Sequence, residues 1–158
     1  MAFTYILELS EAKLQKKVSS MMPMEKNKYF LSVILSEPEV ELIEGGSEIG
    51  LYIHIEVRAV KGISASGRVK LTGALSYQAD TSEFFFKNPT IESLEIARLS
   101  EKYLVSVKKI IQLIARKMLA VRPIYKLKDD KVKHKVAKSM LQSISVNNKK
   151  LLLELKVL

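Results

Sequence analysis

The sequence predicts an α+β fold: a long, highly curved antiparallel β-sheet, of about four main strands plus terminal strands, wrapped around one long helix in the C-terminal half, with two shorter helices. Three observations predict it. Four consecutive β segments between residues 29 and 99, the first three with period-two alternation, are joined by short turns, which antiparallel pairing permits and parallel pairing does not. A single apolar stripe at helical spacing runs from residue 100 to 119. At about 3.3 Å per strand residue and about 1.5 Å per helix residue, strands and helix have nearly equal lengths of roughly 30–35 Å. Elements of matched length with one apolar face each bury most surface when the sheet bends along the helix.

The opening Phe3-Thr4-Tyr5-Ile6-Leu7-Glu8-Leu9 reads as a short strand, and Ser10-Glu11 as a helix N-cap with an acid in the first turn. Leu14, Val18 and Met21 then lie on one helical face, and Pro23 ends that helix. Tyr29, Leu31, Val33 and Leu35 alternate with Phe30, Ser32 and Ile34; past Glu37-Pro38 the apolar parity changes to Val40 and Leu42, which predicts a bulge or kink. Gly45-Gly46 turns the chain into the clearest strand, Leu51, Ile53, Ile55 and Val57 alternating with Tyr52, His54, Glu56 and Arg58. Gly67 is read as a turn glycine before the strand of Val69, Leu71, Gly73, Leu75 and Tyr77, and Phe84 to Leu99 supplies the fourth segment. The main helix carries Tyr103, Val107, Ile110, Ile111, Ile114 and Met118 on one face, widened by Leu104 and Leu113. Pro123 stops it ahead of an extended Ile124–Leu127; Asp129 or Asp130 caps a last helix with Val132, Val136 and Met140 on one face; residues 151–158 close the chain as a strand.

The chain has 158 residues and is read as one domain, 1–158, without repeats or long linkers. No apolar run reaches the roughly 18–20 residues of a membrane-spanning helix, so a soluble domain is expected. The net charge of +9, from 26 basic and 17 acidic residues, favours anionic partners. There is no cysteine, which removes disulfides, thiolate catalysis and cysteine zinc sites. The first residues show no secretory signal.

A catalytic centre is not visible. His54 sits on the polar face of a strand and His134 among lysines, and neither has a partner at ligand spacing. No nucleophile elbow, Walker loop or dinucleotide fingerprint occurs, and Glu37, Glu39, Glu41 and Glu44 read as a solvated strand face. Neither enzyme activity, a metal nor a cofactor is expected. What remains is the apolar seam between long helix and sheet, with Leu51, Ile53, Ile55, Val69, Leu71, Leu75, Val107, Ile111 and Ile114 as groove-lining candidates. Such stripes are core more often than they are groove, and periodicity leaves both readings open. Lys131, Lys133, Lys135 and Lys138 form the strongest basic segment and are candidates for contact with an anionic membrane surface. Nucleic acid is disfavoured, because no aromatics interleave with those lysines for base stacking.

The motifs Tyr5-Ile6-Leu7-Glu8-Leu9-Ser10-Glu11 with Leu14, Val69-Lys70-Leu71-Thr72-Gly73, the Tyr103–Leu119 helix and Pro123-Ile124-Tyr125-Lys126-Leu127, in that order, resemble the YceB-like family of bacterial lipoproteins. The resemblance implies a tubular lipid-binding (TULIP-like) architecture and a non-catalytic role in holding a lipid or other long hydrophobic ligand between helix and sheet. It also implies a periplasmic or outer-membrane address, with anchoring through an N-terminal lipid on a segment absent from this chain. The alternative is a closed-core structural or interaction domain that contacts membrane or acidic partners through its basic surface.

Overall fold

Alternating burial draws the chain into β1 (Phe3–Ser10), β2 (Met24–Lys28), β3 (Leu31–Leu42), β4 (Ile49–Ala59), β5 (Ser64–Gln78), β6 (Glu83–Ile96), β7 (Pro123–Lys126), β8 (Ser139–Asn147) and β9 (Lys150–Val157) in the computed structural model, which describes residues 3–60, 62–127 and 139–157. Two helices complete the described residues: α1 (Glu11–Ser20), and α2, which starts at Glu101 and widens into a π turn over Ala115–Leu119. Strands β2 to β7 form one six-stranded antiparallel sheet in chain order, curled into a half-barrel, and β1-β9-β8 form a second sheet.

The expected α+β class is therefore corrected. Strand makes up 60% of the described residues, the main sheet has six strands rather than about four, and the helices number two among those residues rather than three. The physical reasons are local. β2, Met-Glu-Lys-Asn-Lys, buries only Met24 and is an edge strand, so its period-two signal is absent. β7 has four residues and pairs only with the start of β6. Met140, expected on a helix, lies in β8, where Ser139–Asn147 pair along β9; the buried face of β9, Leu151, Leu153 and Leu155, takes a strand partner instead. The rest of that expected helix falls outside the described residues.

The inner face of the half-barrel is apolar along its length: Leu31, Val33, Leu35, Val40 and Leu42 of β3, the odd-numbered positions Ile49–Val57 of β4, Val69, Leu71 and Leu75 of β5, and Phe84 and Phe86 of β6. α2 packs at one end, against β2, the start of β3 and the later half of β6, while α1 packs at the other, against β3 and β7. Their buried residues, Leu14 and Val18 of α1 and Val107, Ile110, Ile111 and Ile114 of α2, belong to the same core. The second sheet adds Leu9, Val146, Leu151, Leu153 and Leu155 to it.

β3 changes its pairing register between Ser36 and Glu39, with Glu37 at φ 49°, as the parity change around Pro38 predicts. Gly67 is corrected from a turn residue to a mid-strand one. It faces Ile96 across the β5–β6 pair so closely that a Cβ would stand 1.9 Å from the Glu95 carbonyl oxygen. Gly67→Ala is expected to destabilise the fold by about 1–3 kcal/mol through overpacking against rigid backbone, measured by urea unfolding. An unchanged midpoint would show that β5 and β6 are not this close.

Candidate functional site

The nine groove candidates meet in one place, and that place is filled. Leu51, Ile53 and Ile55 on β4, Val69, Leu71 and Leu75 on β5, and Val107, Ile111 and Ile114 on α2 are each 5% exposed or less. All nine are members of the single core cluster, and none borders the surface cavities described below. Lys131, Lys133, Lys135 and Lys138 lie outside the described residues.

Open space lies instead along the outer flanks of the helices. The more apolar of two large grooves runs between α1 and β7, with a volume of about 710 Å³. Its floor is Leu7, Pro123, Ile124, Tyr125 and Leu127, and its rim is Lys13, Lys16, Lys17 and Lys126, with Ser20 alongside. The rim follows from helical geometry: Lys13, Lys16, Lys17 and Ser20 are spaced i, i+3, i+4, i+7 and share one face of α1. The opposite face, Leu14 and Val18, is buried, which turns the lysines outward over β7.

α1 is held by the irregularity of β3. The backbone groups that the β3 bulge frees from the ladder are taken up by one side chain: Gln15 Nε2 donates to the Pro38 carbonyl at 2.6 Å, and Gln15 Oε1 accepts from the Val40 N–H at 2.7 Å. The Glu11 carboxylate accepts from Leu42 N–H at 3.4 Å, and Ser10 Oγ caps the helix by accepting from Lys13 N–H at 3.2 Å. On the other wall, the Leu127 N–H donates to the Ser82 carbonyl at 3.0 Å, and the Tyr125 ring lies 6.2 Å from Phe84. These contacts fix the lysine row over the apolar floor. Among the described residues, four ammonium groups line this groove and no carboxylate does, a lining that suits anions, while the floor can bury an apolar chain. Sequence reasoning missed these residues; the i, i+3, i+4 lysines of α1 were the available signal.

The second groove, also about 710 Å³, follows the flank of α2 along β6 and reaches the β2–β3 turn. Ile91, Leu94, Leu104 and Leu113 supply its apolar surface and Lys28, Lys108, Lys109 and Arg116 its cations, with Glu92 opposing them. Gln112 Oε1 is buried there without a hydrogen-bond partner among the described residues. Mixed charge makes it the weaker anion site.

The outer face of the sheet is a charge lattice. Arg68 stacks 4.2 Å from the Tyr52 ring and pairs with Glu39 at 3.0 Å. Lys70 lies between Glu41 at 3.5 Å and Glu92 at 3.6 Å, and the Tyr52 side chain, then those two carboxylates, hold its ammonium above the usual lysine range. This lattice ties β3 to β6 across the intervening strands. His54 is part of the same polar face, and among the described residues no three metal-binding side chains cluster.

The model of a family described as a protein of unknown function (DUF1439) matches residues 9–150. No curated protein matches the chain.

Because Ile111 is enclosed and Leu104 borders open space, the two truncations should separate. Ile111→Ala is expected to cost about 2–5 kcal/mol and Leu104→Ala about 1 kcal/mol or less, by denaturant unfolding. A cost near zero for Ile111→Ala would mean that the seam is hollow after all.

Proposed function

The chain belongs to the DUF1439 family, and for it we propose a non-catalytic role: binding an amphiphile with a long apolar tail and an anionic head in the groove between α1 and β7. The observation that carries this reading is the pairing of an apolar floor with four lysines and, among the described residues, no acid around a cavity of ligand size. The tail lies along Leu7, Ile124, Tyr125 and Leu127; the head meets Lys13, Lys16 and Lys17. A fatty acid or a phospholipid fits this description. The curled half-barrel sheet is compatible with such a groove. An envelope setting and a YceB-like lipoprotein identity are part of the same proposal, resting on the sequence resemblance.

The filled inner face of the sheet favours a second reading, a closed-core interaction domain without a ligand. One experiment separates them. Titration with a fluorescent fatty acid is expected to give micromolar affinity, and native mass spectrometry to detect co-purifying lipid. Lys13→Glu/Lys16→Glu/Lys17→Glu should weaken binding at least about tenfold, or about 1.4 kcal/mol, and a fatty alcohol of equal chain length should bind correspondingly more weakly. No binding at micromolar concentration, or equal affinity for acid and alcohol, would defeat the proposal.

A further inference from the structure

At the end of the half-barrel where α2 packs, two turns lie side by side. Tyr29 and Phe30 form the two-residue turn between β2 and β3, and residues 60–63 connect β4 to β5. The Val60 N–H donates to the Phe30 carbonyl at 3.3 Å, and the Ala59 N–H donates to the Ile63 carbonyl at 2.7 Å, which binds the turns into one tip. That tip is apolar and exposed: Phe30 is 85% exposed, Val60 77%, Tyr29 45% and Ile63 43%. Soluble surfaces scatter large apolar side chains singly, and a contiguous group on adjacent turns marks a contact surface.

The backbone adds a second, independent signal. Tyr29 and Phe30 both adopt positive φ, 56° and 62°. A two-residue turn of this kind ordinarily carries Asn-Gly, because bulky side chains are strained there. Two aromatics in strained positions at the most exposed point of a sheet do nothing for the core.

Charge identifies the occupant. Lys28 Nζ lies 5.2 Å from the Tyr29 ring and Lys109 Nζ 6.0 Å from it, while Arg58 flanks Phe30 and Val60. The sequence over residues 26–32 and 57–65 contains lysine and arginine and no acid, and the one acid paired to a cation of the tip is Glu56 at its base, 3.3 Å from Arg58 among the described residues. Apolar tips ringed by cations suit an interface with apolar depth beneath anionic headgroups.

We propose that this tip docks the protein on an anionic phospholipid bilayer, with Phe30, Val60 and Ile63 entering the interface and Lys28, Arg58 and Lys109 meeting the headgroups. It lies at the opposite end of β3 from the lysine-rimmed groove, since Leu31 begins that strand beside the tip and Val40 and Leu42 end it beside α1. The tip's action does not depend on what the groove holds.

Vesicle co-sedimentation tests this with the full chain, using phosphatidylcholine vesicles with and without phosphatidylglycerol. Binding is expected to be at least about tenfold tighter to the anionic vesicles and to weaken with salt. Phe30→Ser/Val60→Ser should reduce it about tenfold or more. Tyr29→Asn/Phe30→Gly should do the same while raising Tm, because it relieves the turn strain, so loss of binding is not loss of fold. Phe30→Trp should shift its emission to the blue on vesicles and be quenched by brominated lipid. Unchanged binding in both double variants, or equal affinity for neutral and anionic vesicles, would overturn the proposal. So would a dimer in sedimentation that Phe30→Ser/Val60→Ser abolishes, which would give the tip to a second copy of the chain.

Discussion

Everything in this structure follows from how the inner face of a curled sheet is covered. Six strands bent into a half-barrel present a continuous apolar concavity, and leaving it in water would cost about 25 cal/mol for each Å² exposed. Two helices supply the cover, one at each end, and the small second sheet helps close the α1 end through Leu9, Val146 and Leu151. The result is a filled interior in which Ile53, Leu71, Val107 and Ile111 have no measurable exposure. Interiors of this kind pack at crystal-like density and leave no room for a guest.

Open space is thereby displaced from the centre to the margins. A helix that covers a concavity has an inner face committed to the core and flanks that overhang its neighbours. The flank of α1 overhangs β7 with lysines, and the flank of α2 overhangs β6 with lysine, arginine and an unpartnered Gln112 Oε1 among the described residues. The α1 groove owes its position to backbone irregularity. Gln15 can lock α1 only because the β3 bulge frees the Pro38 carbonyl and the Val40 N–H from the ladder. The outer face is spent on a lattice of charge and aromatic contacts around Tyr52 and Lys70, which stiffens the curl without forming a site.

Local geometry, more than architecture, could be read from residues alone. The Ser10 cap, the parity change at Pro38 and the strict alternation of Ile53, Ile55 and Val57 each encode a local geometry that the structure adopts. The sheet's true size was not legible. β2 carries one buried residue, β7 is four residues long, and β8 pairs on the strength of the apolar face of its hairpin partner β9 rather than its own pattern. Gly67 illustrates the same limit, since the close approach of Glu95 that requires glycine there is a tertiary fact. Apolar periodicity placed the nine seam residues on faces that the structure buries, and it could not assign their role, because a stripe facing a core and a stripe facing a groove have the same spacing. The groove residues of α1 hid in plain view as surface lysines, meaningful only once Ile124 and Leu127 stand opposite them.

The central claim is a closed seam with ligand binding at its margin, and a spin-labelled fatty acid reports on it directly. With the methyl groups of the protein followed by NMR, paramagnetic broadening should be strong for Leu7, Ile124 and Leu127 and weak for Ile53, Leu71, Val107 and Ile111. The reverse pattern, with the seam methyls broadened and the α1–β7 methyls untouched, would contradict the account: the helices would then be lids over an open trough rather than its filling.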